Sequence, residues 1–170
     1  MATHIRRERD DDAAAVRAVY CAAFPTPFEA DLVDQLRADL EPWRGFVAER
    51  DGEVVGHLLF TPVTLDPAPA HASPLVGLGP MAVRPDHQRE GIGSALADGA
   101  LAALSGEPVD AVVVLGHPEW YPKFGFRPAK RFGLKPGFEA PESAFMALEL
   151  VPGALLNMSG KVNYDNRFFA

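Results

Sequence analysis

The stretch from Leu75 to Gly116, LVGLGPMAV-RPDHQRE-GIGSALADGALAAL-SGEP-VDAVVVLG, limits most strongly what this chain can fold into. A short apolar run leads through a glycine-bearing loop into a segment whose Ile92, Leu96, Ala100 and Leu104 recur at helical spacing, with Gly106 as a stop. A continuous Val-rich run follows, of the length and composition of a buried central strand. Strand, loop, helix, strand in that order predicts two parallel neighbours joined by a crossover helix.

The flanks fit an α/β domain around this unit. HIRRERDDDAAAVRAVYCAAF predicts a short strand, capping Asp residues and a helix with Val16, Val19, Tyr20 and Ala23 on one face. Cys21 within it reads as packing. Pro25 and Pro27 stop this helix, and EADLVDQLRADL repeats the pattern through Leu32, Leu36 and Leu40. GFVAERDGEVVGHLLFTPV predicts an antiparallel hairpin about Asp51-Gly52, a dipeptide that tolerates positive φ. DPAPAHASP reads as an exposed loop, HPEWYPKF as a short helix before Gly125, and AFMALELV as a last strand. Residues 152–170 are a tail of unassigned packing. With 170 residues and 48% hydrophobic composition, the expectation is one domain spanning 1–170.

Charge and cysteine content exclude several functions. The net charge is −7 and no basic block offsets it, which argues against nucleic acid as a partner. The opening MATHIRRERDDD is charged where a signal peptide needs an apolar stretch, and no apolar run approaches membrane-spanning length. A lone cysteine cannot close an internal disulfide or build a CxxC site, so a reducing, cytoplasmic setting is expected. His57 and His71 lack metal-ligand spacing, and no metal is expected. An acidic protein that binds an anion must do so locally, with backbone amides or a few placed cations.

Gln88-Arg89-Glu90-Gly91-Ile92-Gly93-Ser94 supplies such a place between strand and helix. Gly91 and Gly93 let a ligand approach the backbone, and the first amides of a helix point outward at an anion such as a pyrophosphate. An isolated GxG would merely shape a turn. Here Leu96 stands where a dinucleotide fingerprint needs a third glycine, and the Gly-Lys-Ser/Thr of a Walker loop is absent. Arg84 and Arg89 add attraction to phosphates at most secondarily, and Glu90 opposes an anion unless it points away.

In these residues the chain resembles the GNAT N-acetyltransferase superfamily, whose signature Gln/Arg-x-x-Gly-x-Gly/Ala is met by Gln88, Gly91 and Gly93. LGPMAVRPDHQREGIGSAL, GHPEWYPKFGFRPA and AFMALEL more narrowly resemble the predicted acetyltransferases called YhbS-like. The resemblance implies a mixed, mostly antiparallel twisted sheet flanked by helices, with a central strand pair splayed around the pantetheine arm of acetyl-CoA. It implies that Met81, Ala82 and Val83 hydrogen-bond that arm in strand fashion. Amides in the segment Arg89, Glu90, Gly91, Ile92, Gly93 and Ser94 would hold the pyrophosphate.

The resemblance also implies that Tyr121, four residues before Gly125, is the general acid for the leaving sulfur, where composition alone reads an aromatic packed beside Trp120 and Phe124. Glu29, at the junction of the first two helices, is the base candidate it suggests, while His117 and Glu119 after the Val-rich strand are held more loosely. The expected activity is acetyl transfer to a primary amine of a small molecule or protein, by direct attack. A non-catalytic acyl-CoA-binding module is the alternative. Exposed sheet edges and the tail are compatible with a homodimer.

Overall fold

A computed structural model describes residues 2–69, 74–156 and 158–169. Its elements, in chain order, are β1 (His4–Arg7), α1 (Ala13–Ala23), α2 (Phe28–Asp39), β2 (Arg44–Arg50), β3 (Glu53–Pro62), β4 (Thr64–Asp66) and β5 (Leu75–Val83). There follow α3 (Ile92–Leu104), β6 (Ala111–Leu115), β7 (Arg127–Pro128), β8 (Leu134–Pro136), β9 (Phe145–Glu149) and β10 (Gly160–Asn163). Two units emerge: Met1–Thr61 with Gly79–Ala103, and Pro62–Leu78 with Leu104–Ala170. β5 thus gives its first half to the second unit and its second half to the first.

In the first unit β1 pairs antiparallel with β2, from His4↔Glu49 to Arg7↔Phe46. β2 turns back on β3 through Asp51 (φ 53°) and Gly52 (φ 80°), the paired left-handed residues of a tight hairpin. α1 buries Val16, Val19 and Tyr20, and α2 buries Ala30, Leu32, Val33 and Leu36. Cys21 follows Tyr20 out of the apolar stripe and is exposed, which corrects the expectation that it packs. Nor does Asp12 cap α1 forward: its carboxylate takes the Arg9 amide at 2.7 Å and the Arg6 guanidinium at 2.8 Å. Gly99 lets α3 close on β1, since a Cβ there would lie 2.8 Å from a methyl of Ile5.

A buried polar chain ties these elements together. His57 on β3 is fully buried, with Nδ1 2.9 Å from the Tyr20 hydroxyl and Nε2 hydrogen-bonded to Glu8, whose other oxygen accepts from Arg37. Burial lowers the pKa of His57 and outweighs the pull of Glu8, so the ring is neutral. In that state Nε2–H donates to Glu8 and Nδ1 accepts from Tyr20, a tautomer fixed by the network. Burial pushes the Glu8 carboxyl up, and the hydrogen bonds from His57 and Arg37, with the Arg37 charge, bring it below its usual value. Spacing could not reveal this cluster, because its members lie on four separate segments.

In the second unit the first half of β5 runs parallel to β6, from Leu75↔Ala111 to Leu78↔Val114. β9 pairs antiparallel with β6 and with β7. The β5–β6 register ends at Leu78 although β5 continues to Val83, and Pro80 has no N–H with which to extend it. Among the described pairings β5–β6 and β10–β8 are parallel and the rest antiparallel.

Two segments gain structure that periodicity did not show. Asp66, expected in a loop, ends β4, and the tail supplies β10, which lies between β4 and β8. Leu155, Met158 and Val162 of the tail are buried against Leu134 and Phe145. The part of the expected loop that includes His71 lies outside the described residues.

Replacing Glu8 by Gln takes from Arg37 one of its two carboxylates, the other being Asp34 at 2.6 Å, and takes from buried His57 its charged acceptor. The loss expected is roughly 1–3 kcal/mol, seen as a melting midpoint lowered by ~2–12 °C in a chain of this size. Native stability should also fall on acidification below about 6.5, where unfolded His57 takes up a proton that the folded ring refuses. A midpoint untouched by Glu8→Gln would show that the cluster does not hold the unit together.

Candidate functional site

The segment Met81 to Ser94 forms one continuous strand, turn and helix start in the first unit. Ala82 is buried at 6% exposure while Met81 and Val83 are half-buried. On one side β5 is held by β3, where the Arg84 amide donates to the Val55 carbonyl at 2.8 Å. Gln88 folds back so that its Nε2 donates to the Val83 carbonyl at 2.9 Å, which fastens the loop to the strand end. Gln88 thereby acts as a brace of the loop.

The turn needs left-handed backbone twice, at Arg89 (φ 64°) and Gly91 (φ 82°). Glycine adopts this freely, and open space surrounds the position where a Gly91 Cβ would stand. The Gly91 carbonyl accepts the first helical bond, from Ala95 at 3.0 Å, so the amides of Ile92 and Gly93 precede any intrahelical acceptor. Glu90 is drawn aside by Arg50, 2.8 Å away at the end of β2, with His87 Nδ1 at 3.6 Å. The carboxylate that would repel an anion is therefore neutralised within its own unit. Arg89 is exposed and makes no ion pair among the described residues. Arg50 was not foreseen; its position beside the Asp51 hairpin is the one hint the sequence holds.

Tyr121 lies in the second unit, opening a 3-10 turn, Tyr121–Phe124, that ends at Gly125 (φ 102°). The His117 carbonyl accepts from the amides of Trp120 and Tyr121, which gives His117 the role of starting the turn, and Glu119 is exposed. Tyr121 is 8% exposed, set edge-on to Trp120 at 4.9 Å and Phe126 at 5.6 Å, with its ring against Gly116. Burial pushes its phenol up to about 12.

Glu29 occupies the first turn of α2 in the first unit, and one carboxylate oxygen is buried without a hydrogen-bond partner among the described residues. Its companion candidates are thus divided: Glu29 and the glycine loop belong to one unit, Tyr121 to the other. Among the described residues no group of three or more His, Cys, Asp or Glu could hold a metal, and no helix is long and apolar enough to cross a membrane.

The fold has counterparts among known acyltransferases. The profile of the Acetyltransferase (GNAT) family matches residues 13–126. The uncharacterized N-acetyltransferase YhbS of Escherichia coli is 34% identical over 96% of this chain and 97% of its own. Its crystal structure in complex with CoA has a TM-score of 0.89, at 33% identity, covering 99% of this chain and 92% of that one. A GNAT family acetyltransferase from Brucella melitensis, solved with acetyl-CoA, has a TM-score of 0.77 at 35% identity, covering 98% of both chains. The chain belongs to the acetyltransferase (GNAT) family, and it is thereby an acyltransferase. Its likeness to YhbS extends to nearly the whole of both chains.

Gly116 is the contact that seats Tyr121. A methyl added there would meet the ring directly, so Gly116→Ala should cost about 1–3 kcal/mol and bring the phenol's titration, followed by absorbance at alkaline pH, down from about 12 toward its ordinary value. Unchanged stability together with an unchanged titration would remove Gly116 from this role.

Proposed function

We propose that the protein transfers an acetyl group from acetyl-CoA to a primary amine, of a small molecule or a protein, by direct attack in a ternary complex. The observation that carries this reading is the glycine turn at Gly91, which leads β5 into α3 and leaves helix-start amides at Ile92 and Gly93. Family membership, and the CoA and acetyl-CoA complexes of the two similar proteins, support the same ligand here.

In this reading Met81, Ala82 and Val83 bind the pantetheine arm through their backbone, and amides between Arg89 and Ser94 take the pyrophosphate. An anion at a helix start gains only about 0.3–1 kcal/mol when exposed and about 2 when partly buried, so the strand contacts must contribute most of the affinity. Arg50 assists indirectly by holding Glu90 away from the phosphates.

Acetyl-CoA supplies an activated acyl carbon: the amine nitrogen bonds to it, the C–S bond breaks, and the electron pair leaves with sulfur. Glu29 receives the proton that the amine loses, its buried unpartnered oxygen being free to accept. Tyr121 donates a hydrogen bond to the departing sulfur. With the phenol at about 12 and a thiol near ~8.5, full transfer from Tyr121 would be uphill by roughly 5 kcal/mol. Tyr121 therefore stabilises the thiolate by hydrogen bonding and keeps its own proton. No cysteine nucleophile takes part, since the lone Cys21 is exposed on α1. A free exposed thiol also suits a reducing, cytoplasmic setting.

The test is release of CoA in the presence of a panel of primary amines, for the native protein and for Tyr121→Phe. Acceptor-dependent turnover that drops about 10²–10³-fold in the variant, with acetyl-CoA affinity kept, is the expected result. Binding of acetyl-CoA without turnover for any amine would instead mark a non-catalytic acyl-CoA-binding module.

A further inference from the structure

The turn between Gln88 and α3 places a left-handed residue on either side of Glu90: Arg89 at φ 64° and Gly91 at φ 82°. Glycine takes that conformation freely, whereas the Cβ of arginine crowds the following carbonyl. Two bonds fix the ends of the turn. Gln88 Nε2 donates to the Val83 carbonyl at 2.9 Å, and the Ala95 amide donates to the Gly91 carbonyl at 3.0 Å. Neither bond involves Arg89, and a disfavoured backbone persists only where its surroundings over-determine it.

From outside the turn, Arg50 reaches its middle. Nη1 of Arg50 donates to Glu90 at 2.8 Å and Nη2 to the Thr3 hydroxyl at 3.1 Å. The Arg50 side chain is 12% exposed against 46% for Glu90, and it stands on backbone paired with Glu53 across the hairpin. An ion pair between two mobile surface side chains contributes little, because both must be ordered to make it. Here the cation is already ordered by burial, by Thr3 and by the sheet, so that only Glu90 remains to be fixed. All these residues belong to the first unit, as does the whole segment from Met81 to Ser94.

We infer that the Arg50–Glu90 pair is a positioning device, which holds the turn in the shape that presents the Ile92 and Gly93 amides before acetyl-CoA arrives. This rests on the reading that the turn takes the pyrophosphate. Neutralising Glu90 is then the lesser part of what Arg50 does. Once pinned, Glu90 supports the binding of an anion that its charge alone would oppose. Without the pin Arg89 relaxes toward ordinary backbone, and the apparent affinity falls by the fraction of time that the turn is formed. Charge alone and positioning thus predict opposite signs for the loss of Glu90.

The test compares the calorimetric affinity for acetyl-CoA of the native protein, Glu90→Ala, Glu90→Gln, Arg50→Met and the double variant Arg50→Met with Glu90→Ala, with melting midpoints showing that each is folded. Glu90→Ala and Arg50→Met are each expected to bind about 3- to 30-fold more weakly, as for a turn formed roughly a third to a thirtieth of the time. The double variant should remain weaker than native, although its net charge is the native one. Glu90→Gln, whose amide oxygen can still accept from Arg50, should stay closer to native than Glu90→Ala, although both lose the same charge. A general loss of stability would not separate these two folded variants. Glu90→Ala that binds as tightly as native or more tightly overturns the inference. Equal affinities of Glu90→Gln and Glu90→Ala, or a double variant restored to native affinity, overturn it as well. Native protein that does not bind acetyl-CoA defeats the proposed function and this inference together.

Discussion

The β5–β6 ladder stops at Leu78↔Val114 while β5 runs on to Val83, and every role assigned to β5 beyond that point depends on the stop. A parallel pair that stayed zipped would spend the backbone groups of both strands on each other. Pro80, which has no N–H to give, stands just past the end of the ladder. From there the strand is fastened instead to β3 through Arg84 and Val55, and to its own loop through Gln88. The loop inherits its position from that fastening, and α3 begins where the loop ends.

Charge is handled locally because the protein as a whole cannot help. A net charge of −7 repels a polyanion at long range, so in the proposed function the recognition of a pyrophosphate would fall to amides a few ångströms away. Glu90 would spoil this, yet Arg50 holds it aside. The same economy appears in the interior, where Glu8 is tolerated only because His57 and Arg37 both attend to it. In each case a carboxylate is matched by cations or donors from a distant stretch of chain.

Much of this was legible in the sequence, and the boundary is physical. The Leu75–Gly116 segment, the Asp51-Gly52 hairpin and the helices declare themselves because their signals are local: periodicity, turn residues and stops. The glycine loop declares itself because Gly91 answers a backbone need. What stayed hidden depends on distant partners. The Glu8–His57–Tyr20–Arg37 chain joins segments far apart, Arg50 meets Glu90 across two elements, and β4 and β10 are short strands that gain order only from each other and from β8. Cys21 misled for the opposite reason: an apolar neighbourhood in sequence was read as burial, although one step round the helix from Tyr20 leads to solvent.

The central claim is that the turn at Gly91 holds the pyrophosphate of acetyl-CoA. Calorimetric titration of acetyl-CoA into the native protein and into Gly91→Glu tests it most directly, with circular dichroism confirming that the variant is folded. Open space at the Gly91 Cβ position means the new carboxylate can be accommodated by the protein, although the left-handed backbone exacts roughly 1–2 kcal/mol of stability. The account predicts saturable native binding that collapses in a folded Gly91→Glu. Native protein that fails to bind acetyl-CoA, or a folded variant that binds it as tightly as native, would contradict it.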